Sequence, residues 1–337
     1  MATILDIAER LGISKGTVSK ALNGAPDISE TLRKTVLETA VEMGYTRQRR
    51  QKSAPRKLCI FVENLDYEEP HQFGYEIVIG FRQMAEPAGF DVDIVPMTEK
   101  LQRSISYDMF MLKHDYIGAF VLGFTLQDPW MQEFQTSSTP AVLYDNYIMS
   151  NPRISYVGVD NNEGMELAVS HLKSLGHKKI GYLSGALGSH IMQVRHKAFF
   201  YAMRQSGLRA DSDYAGASYY VSQCLEKHLP RLLKMGMTAI ICSHDLLANA
   251  AMVQCQQMGI RIPDDLSIIG FDDLPICAYT YPPMTTVRQE RIEIGKCGYY
   301  ALDSLMNDVS IGTLLLHAKL IVRNSTGEAS GKQLSRI

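Results

Sequence analysis

Apolar residues at the head of the chain fall at helical spacing. Ile4, Ile7, Ala8 and Leu11 mark one short helix, with Thr3 as its N-cap and Gly12 ending it in a left-handed conformation. Ser14 caps a second helix over 15–22, whose apolar face is Val18, Ala21 and Leu22. Asn23-Gly24 and Pro26-Asp27 predict a loop. Ser29 caps a third helix with the stripe Val36, Leu37, Ala40 and Val41, stopped by Gly44. Two short helices joined by a tight glycine turn and covered by a third predict a helix-turn-helix. Away from its apolar face the second helix shows Lys15, Gly16, Thr17, Ser19 and Lys20. Small or basic residues suit an approach to bases and phosphates in a major groove.

Beyond residue 57 the period changes. Apolar runs at 57–62, 91–96, 117–123, 141–144, 154–159, 179–184, 238–242 and 266–271 alternate with helical patterns over 74–86, 100–114, 162–175, 189–206, 222–234 and 245–258. This predicts an all-α head followed by an α/β core of two lobes, each a doubly wound parallel sheet. Such sheets take small ligands beyond the carboxyl ends of their strands. The chain has no GxGxxG and no GxxxxGK[ST], so neither sheet advertises a nucleotide site. No histidine pair has metal-ligand spacing. No catalytic site, metal or cofactor is expected, and the chain does not read as an enzyme.

Charge sharpens this division. The 337 residues carry a net charge of only -2. Yet residues 1–57 hold 11 Lys or Arg against 6 Asp or Glu, and the remainder holds 23 against 30. A basic head on an acidic body predicts that the head alone meets a polyanion. The longest apolar run, 117–124, is far short of a membrane span. Asp6 and Glu9 stand where a signal peptide needs an apolar core, and the six cysteines form no CxxC pair. Reduced thiols and a cytoplasmic location are expected.

The segment ATILDIAERLGISKGTVSKALNG resembles the N-terminal signature of the LacI/GalR family of bacterial transcription regulators. VGVDNNEGMELAVSHLKSLGHKKIGYLSG, GIRIPDDLSIIGFDD and PPMTTVRQ resemble that family's ligand-sensing core, which is related to periplasmic sugar-binding proteins. The resemblance implies that Lys15, Gly16 and Lys20 face base edges and that Thr17, Ser19 and Asn23 hold phosphates. Thr3, Ser14, Arg47, Arg49 and Arg50 are counted with them as DNA-binding residues. Lysine at position 20, where the family commonly has arginine, lacks the planar fork that grips guanine with two bonds. The linker TRQRRQKSAPRK, 46–57, departs from the family's hinge helix. Arg47-Gln48 replace its Pro-Asn pair, and Ala54 is too small to wedge into the minor groove. Pro55 would end a helix there. A linker that binds through phosphates and kinks DNA less is expected, with a disordered tether as the alternative.

The implied domains are a helix-turn-helix over 1–45, the linker over 46–57, and an effector-binding and dimerisation core over 58–337. Lobe one would take 58–159 with 290–318, and lobe two 160–289 with 319–337. The resemblance places Asp145, Arg195, His244 and Asp272 against a small-molecule effector between the lobes, most simply a sugar. Phe73, Tyr219 and Phe271 are candidate aromatic walls. Histidine at 244, where the family often has Asn or Asp, suggests pH-sensitive binding. The implied function is a DNA-binding regulator, by family habit a repressor, acting as a homodimer on a near-palindromic operator. Its dimer face is expected on 84–88 and 292–306. A sugar-binding protein without DNA function, and a regulator controlled by a partner protein, stay open as alternatives.

Overall fold

The computed structural model describes residues 2–45, 56–148 and 151–330. Most of the expected linker, including Arg47, Arg49 and Arg50, lies outside the described residues. Its last two members, Arg56 and Lys57, open a strand.

The head is α1 (Ile4–Leu11), α2 (Lys15–Leu22) and α3 (Glu30–Glu42). Its boundaries follow local chemistry. Thr3 and Asp6 form a reciprocal capping box, Gly12 takes φ 64° beyond α1, and the Ser14 and Ser29 hydroxyls accept from the amides of Thr17 and Leu32. Ile7, Val18, Ala21, Val36, Leu37 and Ala40 close the core between the helices.

In chain order the rest is β1 (Arg56–Val62), α4 (Phe73–Ala85), β2 (Phe90–Pro96), α5 (Glu99–Ser104), α6 (Tyr107–His114), β3 (Tyr116–Leu122), α7 (Pro129–Glu133), β4 (Ala141–Tyr144) and β5 (Ile154–Val159). Then come α8 (Asn161–Ser174), β6 (Ile180–Ser184), α9 (His190–Gln205), β7 (Ala215–Ala217), α10 (Val221–Lys234), β8 (Ala239–Cys242), α11 (Asp245–Gln257) and β9 (Ser267–Asp272). The chain closes with β10 (Thr285–Arg288), α12 (Arg291–Met306), β11 (Thr313–Leu316) and β12 (Lys319–Ile321). One sheet has the order β11-β5-β4-β3-β1-β2 and the other β12-β10-β9-β8-β6-β7. Contacts divide the chain into two compact units. Unit 1 takes residues 1–66, 76–157 and 295–314, and unit 2 takes 67–75, 158–294 and 315–337.

Two expectations need correction. The helix expected over 100–114 is two helices, because Ile105 is extended and Ser106 caps a new start. Groups from α7 occupy the break: Trp130 Nε1 donates to the Ile105 carbonyl, and Glu133 accepts from the Tyr107 amide. The second sheet is also not wholly parallel, since its edge strand β12 runs antiparallel to β10.

In unit 1, helices cover both faces of the sheet. Ala119 and Val121 of β3 point to the side of α6 and α7, packing with Tyr107, Phe110, Met111 and Trp130. On the other side Phe120 stacks on Phe81 of α4, and Gly298 of α12 leaves room for its ring. Helices α4 and α12 nearly touch at Gly295, where a Cβ would stand 2.0 Å from the Ile77 carbonyl oxygen. Gly295→Ala is expected to cost about 3 kcal/mol of stability by forcing these helices apart. Urea denaturation of the variant measures it.

Candidate functional site

Two regions hold most of the described residues singled out from the sequence. The first is the outward face of α2. Lys15, Gly16, Lys20 and Asn23 are exposed, and Thr17 and Ser19 are partly so. Ser14 Oγ accepts from the Thr17 amide at 3.0 Å and shares a 2.9 Å bond with the Thr17 hydroxyl. Thr3 is engaged in its capping box, and Asn23 Nδ2 donates to Ser19 Oγ. The helix start therefore holds the Ser14, Thr17 and Ser19 hydroxyls in fixed positions on the outward side of α2. Lys20 does not point freely outward: its ammonium pairs with Asp27 of the following loop. That pairing holds the Asp27 carboxyl below the ordinary carboxylate range. Its importance had no signal in the spacing, because the partner lies seven residues on, past a turn.

The second region lies in unit 2, where the strand order reverses between β6 and β8. Loops leave the carboxyl ends of neighbouring strands in opposite directions there and open a crevice. Ser184 ends β6, Ser243 and His244 follow β8, and Asp272 ends β9. The Gly185 amide donates to Ser243 Oγ across the reversal at 3.1 Å.

Arg195, from α9, is the centre of this region. It is 2% exposed and held from three elements. Nε donates to Asn161 Oδ1 of α8 at 2.8 Å, and Nη1 donates to the Ser243 carbonyl at 2.6 Å and to Asp272 Oδ1 at 3.4 Å. Its guanidinium lies 3.8 Å above the Phe271 ring. Asn161 is itself fixed, donating to the Val159 carbonyl. Gly164 lets α8 approach so closely that a Cβ would stand 3.0 Å from Phe271. Gln289 Nε2 donates to Asp272 Oδ1 at 2.7 Å, and Arg291 Nη1 donates to the Asp272 carbonyl at 2.9 Å. Asp272 and Asp273 both take positive φ, 117° and 52°, a costly backbone state held by the bonds around it.

Electrostatics separates two buried carboxyls. Burial, reinforced by the charge of Asp272, pushes the Asp245 carboxyl above the ordinary carboxylate range. Asp245 lies in a closed polar nest, accepting from the Leu274 amide and the Thr286 hydroxyl. Burial also raises Asp272, but Arg195 opposes it. Asp272, beside the guanidinium, is the better-supported anion of the two.

His244 accepts from the Leu247 amide through Nδ1 and so caps α11. Burial and then the charge of Arg195 pull its imidazole down to about 4. The pH sensitivity expected of it therefore falls below pH 5, and near neutrality the ring is uncharged with Nε2 as its donor. A depressed histidine pKa means that the unfolded chain binds a proton which the fold refuses, so stability is lost as pH falls from about 6.5 to about 4. His244→Asn keeps a capping side chain. It is expected to match the parent within about 1 kcal/mol at pH 8 and to lose about 2 kcal/mol less between pH 6.5 and 4.5. Urea titrations across that range measure the difference.

The other candidates are dispersed. Phe271 is fully buried beneath Arg195, so it supports the guanidinium and is not itself an open wall. Phe73 lies 5.7 Å from the Arg291 guanidinium, within unit 2. Tyr219 is 77% exposed in an edge-on pair with Tyr220, just past β7. Asp145 stands in unit 1 after β4, at φ 52°. Asn161, Gln289 and Arg291 were not singled out from the sequence. A polar residue directly after a buried strand, as Asn161 and Gln289 nearly are, was the available signal.

Among the described residues no group of three or more His, Cys, Asp or Glu could hold a metal ion, and no helix is long and apolar enough to cross a membrane. The six cysteines are free thiols, five of them buried.

A DNA-facing helical head joined to a doubly wound sensor-type core defines a class of transcription regulators. Residues 3–48 match the bacterial regulatory proteins of the lacI family, and residues 169–326 match the periplasmic binding protein-like domain. Over nearly its whole length the chain is similar to DNA-binding transcription regulators of the LacI/GalR family. It is 29% identical over 331 residues to the transcriptional repressor CytR of Escherichia coli K12, covering 96% of each chain. Its fold is similar to that of the transcriptional regulator CelR–cellobiose complex, with TM-score 0.70, 23% identity and 96% and 100% of the two chains covered. It is also similar to the lac repressor dimer bound to operator and the anti-inducer ONPF, with TM-score 0.65, 22% identity and 97% and 99% covered.

Proposed function

We propose that the protein is a repressor whose affinity for operator DNA is set by a polar small molecule, most simply a sugar, held at the carboxyl ends of the unit 2 strands. The observation that carries this is the buried Arg195–Asp272–Gln289 group at the strand-order reversal. A guanidinium, a carboxylate and an amide locked beside one another match the hydroxyl pattern of a sugar. His244 Nε2 adds a neutral donor, and the exposed Tyr219–Tyr220 pair offers an aromatic face for ring CH groups. The cellobiose of the CelR complex and the operator of the lac repressor complex are of the same two ligand kinds.

The proposed division of labour is a DNA-reading head over 1–45, a linker over 46–57 and a sensing and dimerising core over 58–337. Thr3, Ser14, Thr17, Ser19 and Asn23 would hold phosphates through hydroxyls, amides and helix-start N–H groups, with Lys15, Gly16 and Lys20 toward base edges. Two-fold pairing of chains fits a near-palindromic operator. A second copy would cover the face on 84–88 and 292–306, where the Tyr300 hydroxyl meets the Met84 sulfur.

The test is a thermal-shift screen of mono- and disaccharides, sugar phosphates and purines, followed by titration of selected duplex DNA with and without each hit. A ligand that binds only the native state raises the melting temperature. The effector reading fails if no hit alters DNA affinity.

A further inference from the structure

Helix α6 has two apolar faces. Tyr107, Phe110 and Met111 pack down onto the unit 1 sheet. Leu112, 7% exposed, turns the other way and joins the core of the head, with Met109 packed beside it. The head meets it through α3 and the residue that ends the head, Tyr45. The three-helix core is therefore completed by a side chain of the α/β body.

The platform under this contact is braced. The Asp108 carboxylate accepts from the Ser137 hydroxyl at 2.8 Å and from the Ser138 and Thr139 amides at 3.0 and 3.1 Å. The Tyr107 hydroxyl donates to the Pro140 carbonyl at 3.1 Å. The chain re-enters at the same end of the sheet, where Lys57 of β1 pairs with Tyr116 just after α6. Val41 and Tyr45 of the head and Leu112 and Pro140 of the body leave a cavity of about 80 Å³ between them. With α3 against the body, Lys15, Gly16 and Lys20 of α2 stay exposed. The contact uses a face of the head that the reading helix does not need.

We propose that Leu112 and Met109 of α6 are positioning residues for DNA recognition: they dock α3 and aim the head before it meets DNA. This rests on the head being the DNA-binding part. A docked head gives up its orientational freedom ahead of binding, so less is lost on the operator. A head released from α6 reaches the same bases from a wider ensemble, and apparent affinity falls with the competent fraction.

The experiment uses the full-length protein and the duplex it selects most tightly from a random-sequence pool. Leu112→Lys is expected to weaken binding to that duplex about tenfold or more, with binding to unselected duplex changed less than twofold. The slope of log affinity against log salt should stay that of the parent, because no phosphate contact is removed. Met109→Ala, which adds no charge, should move affinity the same way by a smaller factor. It replaces Leu112→Lys if that variant melts early. Val41→Ile, which reaches into the cavity, should tighten binding. Unchanged affinity in both α6 variants overturns the proposal. A rise in affinity also overturns it, because the contact would then be a restraint on the head. A shallower salt slope would mean that DNA contacts were lost instead, with the same consequence. Parent protein that selects no duplex at all overturns both this proposal and the DNA-binding role of the head. That outcome is distinguishable from variants that bind as the parent does.

Discussion

Asp272→Asn is expected to weaken effector binding by about 2–3 kcal/mol, a factor of roughly 30–150, while DNA affinity without effector stays within about twofold. Asparagine keeps an oxygen where Gln289 and Arg195 donate, so the buried group keeps its shape. What is removed is the negative charge that strengthens a hydrogen bond from a ligand hydroxyl. Asp272→Ala is the weaker test. It leaves the Arg195 guanidinium buried without a carboxylate, a change that costs about 3–5 kcal/mol of stability by itself. Titration calorimetry with the screened ligand measures the first effect, and DNA titration measures the second. An unchanged heat of binding in Asp272→Asn would remove Asp272 from the effector site.

The second large effect belongs to Lys20. Lys20→Ala is expected to lower affinity for the selected duplex by about 1–3 kcal/mol, and to relax the sequence preference at one base pair in each half-site. The structure adds a converse. Lys20 is held by Asp27, so part of its charge is spent inside the head. Asp27→Asn frees the ammonium and removes a negative charge from the DNA-facing side. Affinity for unselected duplex should rise by a few-fold and discrimination should narrow, because a loose ammonium accepts any phosphate. Paired titrations on selected and scrambled duplexes measure both variants. If Asp27→Asn leaves both affinities unchanged, the pair has no role in aiming Lys20.

The head was legible because its boundaries are local. Thr3, Ser14 and Ser29 cap through bonds three residues long, and Gly12 needs only its own backbone freedom. Buried strands such as β4 and β5 were legible for the same reason, as short apolar runs bounded by turns. The break between α5 and α6 was not, since the groups that occupy it come from Trp130 and Glu133, more than 20 residues away. Strands β7 and β12 have three residues each and sit at sheet edges, too short to show a period. In the unit 2 site the chemistry of Arg195 and Asp272 could be read from residue type and strand-end position. The places of Asn161 and Gln289 could not, because each acquires meaning only by touching a residue 34 or 17 positions away. Phe271 shows the limit of residue type: an aromatic at a strand end suggested a wall, and the fold puts a cation on it. His244 shows another, because its charge state depends on burial and on Arg195.

The Arg195 side chain is anchored from α8, β8 and β9 at once, over an aromatic ring that a glycine makes room for. Anyone retuning this protein as a biosensor for a different metabolite should leave that keystone untouched, because moving it disturbs three elements together. Diversity belongs instead at Tyr219 and Tyr220, where a library can vary shape and donors while the scaffold keeps its melting point.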